Sequence, residues 1–106
     1  MKVIYNMCFG GFSISRACAQ WMADHGNKEC MDMILRPDDS FYGDLGETPR
    51  HDALLVMAVE HLGTKRASGD CAELAVYELK GDRYFIDEYD GSESVVEPHA
   101  LNWVKV

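Results

Sequence analysis

The dipeptide Asp90-Gly91 is the feature that most restricts how this chain can fold. It lies between two short runs of β-forming residues, and Asp-Gly favours a type I′ turn because both central residues need a positive φ. Residues 84–89 are therefore predicted to lie antiparallel to residues 92–97. Residues 80–82 are also turn formers, so a second hairpin turn is expected there.

Two earlier stretches have helical periodicity instead. Ser13 or Ser15 can cap a first helix, which Gly26 would end. Asp52 can cap a second helix, which Gly63 would end. Apolar residues recur at helical spacing within both stretches, so each predicted helix has an apolar face that must pack on another element.

The remaining segments complete the predicted fold. Residues 3–9 are rich in β formers and apolar on both faces, which predicts a strand buried on both sides. Residues 33–35 are a possible short strand, and the turn formers in residues 36–49 predict a surface loop. The expected order is β-α-(β)-α-β-β-β, a single α+β domain over residues 1–106 with two helices packed on a mainly antiparallel sheet.

Charge is strongly unbalanced along the chain. It has 18 acidic and 10 basic residues, a formal net charge of -8, which disfavours direct binding to nucleic acid or to an anionic membrane. Because neither a membrane span nor a signal peptide is evident, a cytoplasmic protein is expected. The acidic hairpin suggests a partner with a basic surface. Its predicted protein-binding residues are Asp87, Glu88, Asp90, Glu93 and Glu97.

The cysteines are predicted to be free thiols. They are widely spaced, and no pair has the Cys-x-x-Cys spacing of a zinc knuckle or a redox motif. A domain with this apolar content needs no covalent cross-link, and unpaired cysteine is commonly a small core residue. The cysteines concerned are Cys8, Cys18, Cys30 and Cys71.

A glycine pair before the first helix is the best candidate for a small-ligand site. Gly10 and Gly11 can present main-chain N–H groups to an anion near a helix N-terminus. The Walker and dinucleotide-binding patterns are absent, and paired glycines also serve simply to allow a tight turn. If this loop binds a phosphate or a nucleotide, its predicted ligand-binding residues are Gly10, Gly11, Ser13, Ser15, Arg16 and Arg50.

No catalytic signature, cofactor or metal is predicted. Cys8 lacks the arginine or histidine spacing of a cysteine phosphatase or hydrolase. An EF-hand alignment on the Asp-Gly turn places Ile86 at the first ligand position, where it cannot bind calcium. His99 with Glu93 and Glu97 could bind a divalent metal if the strand folds back, and the alternative is solvated charge on an outer sheet face. A binding protein is therefore favoured over an enzyme.

Three motifs occur in order along the chain: Cys-Phe-Gly-Gly-Phe at residues 8–12, Arg-His-Asp at residues 50–52, and Glu-Tyr-Asp-Gly-Ser-Glu at residues 88–93, followed by Glu97 and His99. As a set, they resemble a family of small uncharacterised bacteriophage proteins over nearly the whole chain. The resemblance implies a phage setting and no activity. Phage genomes are rich in short accessory proteins that block host machinery.

Two functional hypotheses follow from the residues and the resemblance. The first is a phage-encoded accessory protein that binds and inhibits a host factor, such as a defence protein or a nucleic-acid-handling protein. The alternative is a small-ligand binder that sequesters a phosphorylated metabolite or a nucleotide signal at the Gly10-Gly11 loop.

Overall fold

The computed structural model describes residues 1–37 and 41–98. Within these ranges the chain forms helices and antiparallel strands, which confirms the predicted α+β class. In chain order the elements are β1 (Lys2–Asn6), α1 (Arg16–Asp24), α2 (Lys28–Ile34), α3 (Ala53–Leu62), α4 (Thr64–Ala67), β2 (Leu74–Glu78), β3 (Phe85–Tyr89) and β4 (Ser92–Val96).

The strands form two antiparallel pairs instead of the single sheet that was expected. β1 pairs with β2, and β3 pairs with β4. The hairpin turn predicted at residues 80–82 is wrong, because β2 and β3 each pair with a different strand. The segment between them instead packs on the end of β4, where the N–H groups of Lys80 and Gly81 donate to the carboxylate of Glu97.

β1 is the most deeply buried strand. Val3 and Ile4 point to opposite faces of the strand and are both fully buried, as predicted for this segment. The strand ends at Asn6, before the predicted end at residue 9, and Phe9 is exposed. Beyond Asn6 the chain turns away to form the glycine loop, so its apolar residues no longer alternate across a ladder.

The predicted caps of α1 and α3 are confirmed. The Ser15 hydroxyl accepts a hydrogen bond from the N–H of Cys18, and the Asp52 carboxylate accepts from two N–H groups in the first turn of α3. Gly26 and Gly63 follow the two helices with φ of 105° and 83°, which is the left-handed region that glycine tolerates best.

Residues 33–35 do not form the predicted strand, because α2 includes Met33 and Ile34. Asn27 caps this helix by accepting a hydrogen bond from the N–H of Cys30 at 2.9 Å. Cys30 and Met33 are buried, so α2 places its apolar residues in the core. A run of three apolar residues cannot distinguish a strand from a helix, whereas the asparagine cap was a usable signal.

In the main core, α1 packs on α2 and on α3, and α3 packs against β1 and β2. The largest fully buried apolar side chains are those of Ile4, Ile14, Met22, Leu55 and Leu74.

Across residues 1–37 and 41–98, no helix has both the length and the apolar character required to cross a bilayer.

The β3–β4 hairpin has the predicted tight turn. Asp90 and Gly91 have φ of 51° and 91°, as a type I′ turn requires, and Tyr89 lies opposite Ser92. Gly91 is also packed against the glycine loop, because a Cβ atom there would lie 2.2 Å from the carbonyl oxygen of Phe9. The turn of the hairpin and the glycine loop are therefore in direct contact.

Gly91→Ala is expected to lower the free energy of unfolding more than Gly26→Ala. Both glycines have positive φ, so each substitution strains the backbone by about 1 kcal/mol. A Cβ atom at Gly26 meets open space, whereas at Gly91 it would clash with main-chain atoms, which adds about 1–3 kcal/mol. Urea unfolding followed by circular dichroism measures the free energy of unfolding of both variants. Equal losses of unfolding free energy in the two variants would show that Gly91 is not closely packed against the glycine loop.

The thiols are expected to differ in reactivity. All four cysteines are free, as predicted. Burial raises the pKa of Cys18 to about 12 and that of Cys30 to about 11, whereas Cys71 is exposed. With a thiol reagent such as DTNB, Cys71 should react in the native protein, and Cys18 and Cys30 only after unfolding. An intramolecular disulfide found by mass spectrometry of the unreduced protein would contradict this expectation.

Candidate functional site

An ion pair between Arg50 and Glu93 joins the β3–β4 hairpin to the loop before α3. The two guanidinium Nη atoms lie 2.6 and 2.8 Å from the two carboxylate oxygens, so the contact is bidentate. The Glu93 side chain is 6% exposed and that of Arg50 is 22% exposed. The guanidinium also lies 3.6 Å from the centre of the Phe12 ring. The pair is therefore well enclosed.

Asn6 completes this junction at the end of β1. Its main-chain N–H donates to Glu93 at 2.9 Å, and its side-chain amide donates to the carbonyl oxygens of Cys8 and Gly91. Its side-chain oxygen accepts from the N–H of Glu73 at 2.8 Å. One buried asparagine thus connects β1, the hairpin turn and the start of β2.

Glu97 fixes the other end of β4. It is fully buried and accepts hydrogen bonds from the Tyr77 hydroxyl at 2.8 Å and from the N–H groups of Lys80 and Gly81. The bond to Glu97 raises the pKa of Tyr77. The carboxylate therefore holds the segment that links β2 to β3.

Glu93 and Glu97 are not solvated charges on an outer sheet face, as the sequence had suggested, because both are buried. Side chains alternate across a strand, so Glu93 lies on the face of β4 that turns towards Arg50 and β1. Both carboxylates are satisfied inside the protein and are not available to a partner. His99, the third member of the suggested metal cluster, lies outside the described residues. Within residues 1–37 and 41–98, no group of three such side chains is placed to hold a metal.

The other three predicted acids are on the surface. Asp87, Glu88 and Asp90 are exposed. Phe85 and Tyr89 are 53% and 77% exposed, and alternation along β3 places them on the same face as Asp87. We call these five residues the hairpin surface. Phe85 and Tyr89 were not predicted as binding residues from the sequence. They lie two residues before and two residues after Asp87, and this alternation was the signal that could have identified them.

A groove of about 560 Å³ follows the glycine loop. Arg50 does not line it, because its guanidinium is paired with Glu93. The predicted ligand-binding residues that do line the groove are Gly10, Gly11, Ser13, Ser15 and Arg16.

Two of the polar side chains that line this groove, Arg16 and Ser15, are already engaged within the fold. Arg16 donates to the carbonyl oxygens of Ile34 and Arg36, at 3.1 and 2.8 Å. The Ser15 hydroxyl caps α1 and donates to the carbonyl oxygen of Arg66. A phosphate requires positive charge as well as amide groups, so these contacts weaken the case for an anion site.

The glycines of the loop are required for packing. A Cβ atom at Gly10 would lie 1.8 Å from the carbonyl oxygen of Cys71, and Gly11 has a φ of 88°. Both positions therefore need glycine whether or not a ligand binds, which agrees with the tight-turn interpretation.

Comparison of the chain with protein-family models, curated proteins and solved structures finds no match. Function is therefore inferred from the groups that the chain presents. These are the carboxylates and aromatic rings of the hairpin surface, and the groove beside the glycine loop.

Glu93→Gln is expected to lower the free energy of unfolding by about 2–3 kcal/mol, because it leaves the enclosed Arg50 guanidinium without a carboxylate partner. The matched control is Glu60→Gln, which removes an ion pair with Lys2 in which both side chains are 44% exposed. That change should cost less than about 1 kcal/mol. Urea unfolding compares the two variants, and a loss at Glu93 no larger than that at Glu60 would show that the enclosed pair does not stabilise the fold.

Proposed function

We propose that this protein is a phage-encoded accessory protein that binds a host protein through the hairpin surface and thereby inhibits it. The supporting observation is that exposed carboxylates and exposed aromatic rings are combined on one hairpin. Carboxylates attract a basic partner and speed the encounter, whereas aromatic side chains supply contact area at little cost in conformational entropy. The carboxylate of Asp87 lies on β3 between the two aromatic residues, Phe85 and Tyr89.

The hairpin surface is held in place before any partner binds. Glu93 is fixed by Arg50 and Asn6, and Glu97 by Tyr77 and the segment before β3. Glu93 is on β4 and Glu97 directly follows β4, so neither anchor uses the side chains of β3. A surface that is ordered in advance loses less entropy on binding, which favours affinity.

The charge of the surface suggests the class of host protein. A basic groove on a defence protein or on a nucleic-acid-handling protein attracts phosphate groups, and a compact array of carboxylates can occupy the same groove. The net charge of -8 adds a long-range attraction to such a target. The proposed location is the host cytoplasm, in keeping with the resemblance to bacteriophage proteins.

The alternative hypothesis is a small-ligand binder that sequesters a phosphorylated metabolite or a nucleotide signal. The groove of about 560 Å³ beside Gly10 and Gly11 is large enough for such a ligand. Arg16 and Arg50, the cations expected to bind the phosphate, are engaged elsewhere in the fold. The hairpin surface therefore supports protein binding better.

Reversal of the exposed hairpin charges is expected to weaken capture of the host partner. The test variant changes Asp87, Glu88 and Asp90 to lysine, and tagged protein is then used to recover partners from bacterial lysate at low and high salt. Binding should weaken about tenfold or more and lose its salt dependence, because the removed charges supply the attraction. The changes at Asp87 and Glu88 should each alter stability by less than about 0.5 kcal/mol. Lysine at Asp90, where φ is 51°, should strain the turn by about 1 kcal/mol, so circular dichroism is used to check that the variant is folded.

The matched control reverses three exposed acids outside the hairpin, Asp24, Asp32 and Asp44, which changes the net charge equally. This variant should keep most of the binding. Equal capture by wild type and the hairpin variant at low salt would overturn the proposal. A thermal-shift screen with nucleotides, cyclic nucleotides and sugar phosphates tests the alternative, and a rise in Tm with any of them would favour the ligand-binding hypothesis.

A further inference from the structure

β3 is an open edge strand. It pairs with β4 on one side, and in the part of the chain that the structure describes no other strand pairs with it. β4 is the hairpin strand that contacts β1, so β3 lies on the outside of the molecule. Four of the five residues of β3 are exposed. An exposed edge presents unpaired main-chain groups to which another extended chain can add.

The two-residue turn determines which main-chain groups face this edge. Tyr89 and Ser92 flank the turn and form a hydrogen-bonded pair of the ladder. Pairs alternate along an antiparallel ladder, so the next residue of β3, Glu88, has its N–H and C=O groups directed away from β4. The same holds for Ile86. The open edge therefore offers two donors and two acceptors.

The side chains beside this edge are acidic on both faces. Asp87 lies on the outer face, between Phe85 and Tyr89, and Glu88 lies on the opposite face. Two consecutive residues of an added strand also point to opposite faces. A pair of adjacent basic residues would therefore meet Asp87 and Glu88 at once, and the aromatic rings could contact an arginine side chain.

Charge disfavours a second copy of this chain as the occupant of the edge. If two β3 strands paired, Asp87 and Glu88 of both copies would be brought close together, and like charges across a strand pair are destabilising. Acidic side chains alone would protect an edge against aggregation, but they do not account for the exposure of Phe85 and Tyr89. Acids together with aromatic rings fit a basic extended segment.

We propose that β3 is the docking strand for an extended basic segment of the partner, which adds to the β3–β4 sheet as a third strand. The segment is recognised by main-chain hydrogen bonds to Ile86 and Glu88, and by a pair of adjacent basic residues that face Asp87 and Glu88. This inference rests on the proposed function and specifies how the partner is bound.

The first experiment compares Glu88→Pro with Glu88→Gln. Both remove the same charge, but only proline removes the N–H that faces the open edge, while the bonds to β4 remain. The probe is a synthetic peptide of about eight residues, with alternating valine and threonine around a central Arg-Lys pair. Calorimetry should show binding to Glu88→Pro about tenfold or more weaker than to Glu88→Gln. Equal affinities, with both variants folded by circular dichroism, would overturn the inference.

A second experiment needs no variant of the protein. The same peptide is made in two forms, one with N-methyl groups on the odd-numbered residues and one with N-methyl groups on the even-numbered residues. Each form is titrated into the wild-type protein. The form whose methyl groups face β3 should not bind, whereas the form whose methyl groups face away from β3 should bind with nearly unchanged affinity. Equal affinity of both forms would show that the peptide does not add to an edge. Sedimentation that reveals a dimer of wild type, lost in Glu88→Pro, would assign the edge to a second copy and overturn the inference.

The failure of this inference is distinguishable from failure of the proposed function. If Glu88→Pro and Glu88→Gln capture the host partner equally while the triple lysine variant does not, the hairpin surface binds by its side chains and the edge inference is wrong. Suppose instead that only one of the two N-methylated peptides loses binding, as predicted, but reversal of the hairpin charges does not reduce the capture of any host protein. The edge inference then holds and the proposed function is wrong.

Discussion

Arg50 and Glu93 form a bidentate contact at the place where the loop before α3, the end of β1 and the β3–β4 hairpin meet. Among the described residues the two sheets share no ladder, so the hairpin needs another connection to the body of the protein. The ion pair, together with Asn6, supplies it. An enclosed charged pair of this kind tolerates little displacement, since a lost contact leaves a buried charge without a partner. The position of the hairpin surface follows from that requirement.

Local structure was predictable from the sequence because its causes are local. The Ser15 and Asp52 caps act on the first turn of their own helices, and Asp90-Gly91 acts on the residues beside it. The pairing of β1 with β2 was not predictable in the same way. β1 pairs with a strand about seventy residues later, and no turn residue between them encodes that choice.

The candidate site was predicted in part for the same reason. The acidic composition of the hairpin identified the region, but composition does not tell which face of β4 is turned inwards. The burial of Glu93 depends on Arg50, a residue forty-three positions away, and that contact exists only after folding. Exposed Phe85 and Tyr89 were missed because aromatic residues in a strand are usually expected to pack on a core.

The two strands of the hairpin have different structural roles. β4 and the residue that follows it, Glu97, supply the carboxylates that hold the hairpin to the rest of the chain, and most side chains of β3 are exposed to solvent. Changes on β3 therefore leave the anchors intact. A protein arranged in this way can acquire specificity for a new target by substitution within one short strand, while the fold that supports it stays under separate selection.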